Sequence, residues 1–383
     1  MGGRITRPLT VLQLLPALNA GGVERGTLEV AGALAGRGHR SLVMSAGGRL
    51  VAPLEAAGSE HLCWPVGQKS PLTLRLVGPL RRFLAEQQVD ILHARSRLPA
   101  WLAWLAWRGM NPRSRPRFVT TVHGLNSVNA YSAVMTRGER VIAVSGFARD
   151  YVLAHYPGLE AGRVTVIPRG VDPAEFPRGF QPDKDWLAEW YRQYSQTRDR
   201  YLVTLPGRVR RDKGLHDFVA VIAGLRARGI PAHGLVVGDM RGGGQRLDRD
   251  LRRCIATARL DEVLSFTGYR HDVREIMALS NAVVSLSRKP EAFGRTVNEA
   301  LGLGVPVAGY AHGGVGEQLA QHFPAGAVPP GDSAAMIDRL AQWYAMPPSL
   351  AEVQVHTLEA MLQGTVELYQ ALALPGESCE GRP

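Results

Sequence analysis

Short apolar runs alternate with longer stretches of helical periodicity along almost the whole chain. In the first half the runs fall at 9–15, 40–45, 91–94, 118–122, 141–144 and 164–167. In the second half they fall at 201–205, 233–237, 264–267, 282–286 and 305–309. Runs of this length, separated by helix-sized segments, predict buried parallel strands with crossover helices, an α/β architecture. The rhythm restarts near residue 200 with no repeat of fixed period. Between the halves lies a polar, proline-containing stretch, 173–200, with an amphipathic piece at Trp186-Leu187-Ala188-Glu189-Trp190-Tyr191. Pro347-Pro348 marks a second break, and 351–372 reads as a helix before a frayed tail at 375–383. The pattern therefore predicts two doubly wound domains, 1–172 and 173–350, with a terminal segment, 351–383.

A length of 383 residues agrees with two cores. No apolar stretch approaches the roughly 20 residues that span a bilayer. The run at 9–18 is interrupted by Gln13 and Pro16, so it reads as a first strand entering a glycine loop, not as a signal peptide. Cys63, Cys254 and Cys379 are far apart, which implies neither a disulfide framework nor a metal site and fits a reducing, cytoplasmic compartment. The net charge of +11 is carried mostly by arginine. Between Arg75 and Phe118 nine arginines face only Glu86 and Asp90. The same window holds Trp101, Trp104, Leu105 and Arg108 on one helical face. Two readings compete for it: a core helix with a solvated basic edge, or a surface for an anionic membrane. Nucleic acid is not expected, because no zinc pattern, helix-turn-helix or aromatic-basic RNA motif accompanies the charge.

The candidate chemistry lies at the strand ends, where open α/β sheets bind ligands. After the run at 282–286 comes Pro290-Glu291-Ala292-Phe293-Gly294-Arg295-Thr296-Val297-Asn298-Glu299-Ala300. A strand ends there, a glycine turn follows, and a helix opens. Its N-terminus offers unpaired backbone N–H groups and partial positive charge to a phosphate. One carboxylate sits before the helix and the other just inside it, so they can address opposite ends of a sugar nucleotide. This segment resembles the E-x7-E motif of the retaining glycosyltransferases of family 4, which have the GT-B fold: two Rossmann-like domains facing a central cleft. The resemblance extends over about residues 9 to 330 and implies that Glu291 contacts the donor sugar and Glu299 the ribose. It also implies that Phe293, Gly294, Arg295, Thr296 and Val297 line the donor site, and that the C-terminal helix crosses back to the first domain.

Other segments match the family in order. Leu205-Pro206-Gly207-Arg208 with Lys213-Gly214 resembles its G-R…K-G segment, which assigns Arg208 and Lys213 to the pyrophosphate. Cations there stabilise the charge of the departing nucleoside diphosphate. Gly21-Gly22 resembles the first-domain glycine loop beside donor phosphate and acceptor. Thr121-Val122-His123-Gly124 resembles the T-x-H segment, whose histidine lies against the donor sugar, and His93 resembles a neighbouring position. Tyr269 and Arg270, after Gly268, are candidates for the base. Val166-Ile167-Pro168-Arg169-Gly170-Val171-Asp172 also resembles the family, which commonly carries Asn where this chain has Arg169. His312-Gly313-Gly314 and Glu317 match a supporting segment. Asp248-Arg249-Asp250 reads as a solvated helix face, not a metal motif, so no cofactor and no metal are expected.

The resemblance implies transfer of a hexose from a nucleoside-diphosphate sugar, uridine first, to a hydroxyl of a glycan or lipid-linked acceptor, with retained anomeric configuration. The likeness to transferases of the lipopolysaccharide core and other envelope glycans implies work at the inner face of the membrane. The alternatives are a sugar-nucleotide epimerase of the same fold and a non-catalytic glycan or nucleotide binder at the membrane.

Overall fold

The computed structural model describes residues 7–19, 21–239, 244–351 and 353–374. The expectations placed on the side chain of Asp248, on Cys379 and on the tail from Pro375 lie outside the described residues. The chain divides into two compact units. One runs to Arg169 and takes up the chain again from Glu359; the other is Gly170–Leu358.

The sheet of the first unit has seven parallel strands: β1 (Thr10–Leu14), β2 (Arg40–Ser45), β3 (Glu60–Cys63), β4 (Ile91–Ala94), β5 (Arg117–Val122), β6 (Arg140–Ala143) and β7 (Val164–Val166). Their order is β3-β2-β1-β4-β5-β6-β7. The second unit has six: β8 (Tyr201–Pro206), β9 (Ala232–Val237), β10 (Leu264–Gly268), β11 (Ala282–Ser285), β12 (Val307–Tyr310) and β13 (Ala327–Val328). These lie in the order β10-β9-β8-β11-β12-β13. Helices cover both faces of such sheets, so central strands are apolar throughout rather than alternating. Accordingly every residue of β4, β8, β9, β11 and β12 is buried. Two Rossmann-like parallel sheets of this kind make the GT-B fold.

Eleven of these strands match apolar runs in the sequence, with ends shifted by a residue or two. The other two, β3 and β13, are edge strands. Glu60-His61-Leu62-Cys63 has no fully buried residue, and β13 is two residues long, so neither produces an apolar run.

The helix expected over 351–372 begins later, at Leu358, and ends at Ala373. Val353 and Val355 pack on the core of the second unit instead. Val171 N donates to His356 O at 3.0 Å, and Leu358 N donates to Val171 O at 2.7 Å. This clasp keeps 170–172 and 351–358 in the second unit and moves the expected borders at 172/173 and 350/351. The terminal helix itself belongs to the first unit, where Tyr369 is fully buried.

The basic, Trp-rich segment is the helix Arg97–Arg108. Leu102, Ala103, Ala106 and Trp107 face the core, while Trp101, Trp104 and Leu105 are half-buried and Arg108 is exposed. Arg137 lies 4.3 Å from the Trp104 ring centroid, and Arg115 lies 3.5 Å from that of Trp107. Arg95, one of the nine arginines of this window, is buried and adds nothing to the surface charge. Among the described residues no helix is long and apolar enough to cross a membrane.

Candidate functional site

In the second unit the chain runs from β8 outward through β9 and β10, then returns to the centre at β11 and runs outward through β12 and β13. The order reverses between β8 and β11, and such a switch point opens a crevice at the strand ends. The loop after β8 carries Gly207, Arg208 and Lys213. The loop after β11 carries Glu291, Phe293 and Gly294 and leads into the helix Arg295–Leu303.

These two loops are joined. Arg288 N donates to Asp212 O at 2.8 Å. Gly214 has φ +68° and passes so close to β11 that a Cβ would lie 2.0 Å from Leu286 O. Only glycine fits there. The turn delivers Lys213 Nζ to 2.7 Å from Glu291 Oε1, with both side chains about three-quarters covered. Ser287 Oγ donates to the same carboxylate oxygen. Arg208, by contrast, is exposed.

The glutamate loop is held from below. Gly314 N donates to Glu291 O at 2.7 Å. Gln318 Nε2 donates to the carbonyls of Phe293, Gly294 and Gly314, the last two at 3.2 Å. His312 Nε2 donates to Ser287 O at 2.7 Å, which places the ring proton on that nitrogen. Phe293 is buried and sits 5.8 Å, ring to ring, from His356. Gly294, with φ +88°, starts the helix whose first N–H groups face the loop.

Within that helix Arg295 Nε donates to Glu299 Oε1 at 3.0 Å, and both side chains are largely buried. Val297 is fully buried and Thr296 half-buried. So the structure brings Lys213 to Glu291 and Arg295 to Glu299, as two separate pairs. Tyr269 is exposed. The guanidinium of Arg270 is held by Asp272, at 2.8 and 2.6 Å, and Asp272 also accepts from Trp186 Nε1 at 2.8 Å.

The first unit has its own reversal, between β1 and β4. Gly21, with φ +144°, caps the helix Gly22–Gly36 after β1, so that helix also opens at a switch point. His93, in β4, is engaged at both ring nitrogens: Nδ1 with Tyr369 Oη at 2.6 Å and Nε2 with Thr121 Oγ1 at 2.7 Å. It ties the terminal helix to the sheet and has no nitrogen left for a ligand. His123 follows β5 and is only partly covered. Its Nδ1 lies 2.5 Å from Arg169 Nη2. Burial, then the charges of Arg169 and Arg95, hold His123 well below the ordinary histidine value. The ring retains some accessible surface, and the adjacent guanidinium alone disfavours a second positive charge.

Sequence reasoning missed Ser287, Gln318 and the partnership of Arg169 with His123. Ser287 lies four residues before Glu291, a spacing that carries no signal in a loop. Gln318 reads as an ordinary helical polar residue until the loop is placed over it. Among the described residues no group of three or more His, Cys, Asp or Glu side chains gathers to hold a metal ion.

Comparison with known proteins assigns the chain to a family of transferases. The model of glycosyltransferase family 4 matches residues 20–175, and that of the glycosyl transferases group 1 matches 188–355. Together they span both units, and the chain belongs to these GT4-like, group 1 glycosyltransferases. It is 30% identical over 203 residues to 2-deoxystreptamine N-acetyl-D-glucosaminyltransferase of Streptomyces fradiae, a match spanning 53% of this chain and 46% of that enzyme. A glycosyltransferase from Rickettsia africae superposes with a TM-score of 0.85 at 27% identity, covering 96% of this chain and all of the other. The Anabaena protein HepE, solved with UDP and glucose, superposes with a TM-score of 0.78 at 20% identity over 95% of this chain and all of its own.

Proposed function

We propose that the protein transfers a hexose from a nucleoside-diphosphate sugar to a hydroxyl of a glycan or lipid-linked acceptor, with retention at the anomeric carbon. The observation that carries this reading is the pairing of Lys213 with Glu291 at the β8/β11 switch point, 2.7 Å apart. Glu291 orients the donor sugar, and Glu299 holds the ribose hydroxyls. Arg208 and Lys213 take the charge of the leaving diphosphate. The helix N-terminus at Arg295, with Thr296 and Val297, donates to the same phosphates. By resemblance Gly21 and Gly22 belong to the loop beside the donor phosphate. By resemblance His123 meets the donor sugar, and Tyr269 and Arg270 belong at the base.

In the reaction the bond from the anomeric carbon to the phosphate oxygen breaks as the acceptor oxygen attacks the same face. The acceptor proton passes to the leaving phosphate oxygen, so no protein nucleophile is required. Cations in a closed site stabilise such developing charge by several kcal/mol. The same residues serve without a metal, so turnover persists in chelator.

Uridine is the first base to test, since the Anabaena protein of this fold holds UDP and glucose. The pathway we favour is synthesis of lipopolysaccharide core or other envelope glycan, from the cytoplasmic side. The outward face of Arg97–Arg108 then rests on an anionic membrane surface.

The deciding experiment incubates the enzyme with UDP-sugars and acceptor sugars and reads the product by NMR. An axially linked product from an axially linked donor supports the reading. Donor conversion without acceptor would indicate an epimerase, and no conversion a binder.

A further inference from the structure

We propose that the first unit binds one buried monatomic anion, chloride, in a cavity beside β4, β5 and the terminal helix, held by the guanidiniums of Arg95 and Arg169.

The cavity has a volume of about 10 Å³, and every residue around it is buried. Its polar lining is Arg95, Arg169, His93, Thr121 and Thr365; apart from Met361 the rest is aliphatic. No carboxylate is among the described residues that line it. Two guanidiniums thus share a small, water-poor space with no acid between them. Buried charges are ordinarily paired, because losing water without a counter-charge is costly.

The other polar groups of the lining satisfy one another. His93 is engaged at both ring nitrogens, one of them with Thr121 Oγ1 at 2.7 Å. Thr365 Oγ1 donates to Met361 O at 2.7 Å. Arg95 Nη1 donates to Gln13 Oε1 at 2.6 Å. Its Nε, however, is buried and has no partner among the described residues. An arginine carries donors only, so this N–H calls for an acceptor, and leaving it unmatched is destabilising.

Arg169 supplies the second charge. Its Nη1 lies 3.4 Å from Met361 Sδ and its Nη2 lies 2.5 Å from His123 Nδ1. A thioether and a neutral imidazole carry no charge to offset it, and the sulfur is a weak acceptor. Gly26 backs the guanidinium, since a Cβ there would lie 2.7 Å from Nη1, so Arg169 has no room to retreat on that side. The acid that acts on Arg95 from outside the lining, Glu29, is already paired with Arg25 at 3.1 Å. Burial pushes Arg95 down to about 10, and the opposing pull of Tyr369 and Glu29 does not make up for the lost water.

Size and charge together choose the occupant. A cavity of this volume takes about one water-sized sphere, which excludes phosphate, sulfate and carboxylates. A water would satisfy Arg95 Nε and leave both charges uncompensated. A halide accepts from several N–H groups at once and brings the missing charge. Chloride is a little larger than water, and the unbranched, adaptable side chain of Met361 is the wall that accommodates it. Because Met361 and Thr365 belong to the terminal helix, the anion should strengthen the packing of that helix on the sheet.

The test uses the full-length protein, freed of halide by dialysis and returned to chloride, bromide or gluconate at equal ionic strength. Tm should rise saturably with chloride and with bromide, and not with gluconate, which is too large to enter. The rise should vanish in Arg95→Met and persist in Arg82→Met, which removes an exposed arginine of the same unit. Wild-type crystals grown from protein purified in bromide should show an anomalous peak in the cavity, within hydrogen-bond reach of Arg95 Nε. Absence of that peak overturns the proposal and leaves a water in the cavity, whether or not Arg95→Met folds. A chloride effect undiminished in Arg95→Met overturns it too, because the halide then binds elsewhere. Neither readout involves turnover, so the outcome is separate from that of the transferase reading.

Discussion

Lys213 Nζ and Glu291 Oε1 lie 2.7 Å apart and join the loops that follow two adjacent strands, β8 and β11. The pair couples the cation assigned to the leaving diphosphate with the acid assigned to the sugar. It is also half-buried, so removing one partner leaves the other charge poorly compensated.

Lys213→Ala should therefore lose on two counts: the diphosphate charge is unshielded and Glu291 is no longer held. We expect kcat to fall at least tenfold, which is about 1.4 kcal/mol of transition-state stabilisation. Arg208→Ala should fall at least as far. Steady-state kinetics with a saturating donor checks both, and unimpaired turnover in either removes that residue from the assignment.

Gly214→Ala should disturb both stability and activity. The position has φ +68° and no room for a Cβ beside Leu286 O. Positive φ for a non-glycine residue costs on the order of 1 kcal/mol, and the backbone collision adds to it. Urea denaturation should show a midpoint shift larger than for Gly229→Ala, which shares positive φ but has open space around its Cβ position. Equal shifts would mean that the close approach of the two loops is not maintained in solution.

The much-buried histidines predict a direction for stability against pH. His233 is held at about 4 by burial, then by Arg200 and Arg226, and its Nε2 lies 2.9 Å from Ser265 Oγ. Its folded value is below the unfolded one, so unfolding takes up a proton between about pH 6.5 and about 4. Stability from this group is complete above 6.5 and declines as pH falls through that window. Tm should drop from pH 7 to 4.5, with a shallower slope in His233→Asn. An unchanged slope in that variant would assign the decline to other groups.

The basic, Trp-rich stretch 75–118 predicts binding to anionic vesicles in low salt and release at about 0.5 M salt, where charges are screened within a few ångströms. Sedimentation with phosphatidylserine vesicles measures this. Absence of binding at low salt would leave the helix with its core role alone.

The positions of the central strands were legible because strands covered on both faces read as apolar runs, and β4, β8, β9, β11 and β12 are buried throughout. Of the four edge strands, β7 and β10 still read as apolar runs, whereas β3 and β13 escaped because an edge need not be apolar. The glutamate pair, the cations after β8 and the histidine after β5 were legible as types at strand ends. What they touch was not. Lys213 meets Glu291 across 78 residues, and Arg169 meets His123 across 46. Such pairings depend on which strands become neighbours and on where glycines let the backbone close up. The terminal helix was placed too early because Val353 and Val355 suit helix and extended chain alike; the clasp from Val171 decides between them.

The central claim is that the second unit holds a nucleotide with Glu299 at its ribose. Thermal unfolding with UDP, GDP and ADP, each in excess, tests it most directly, because a ligand at about 100 times its Kd adds about 2.7 kcal/mol to the folded state. The account predicts a clear rise in Tm with UDP that Glu299→Ala abolishes. No rise with any of the three nucleotides, or a rise that survives Glu299→Ala undiminished, would contradict it.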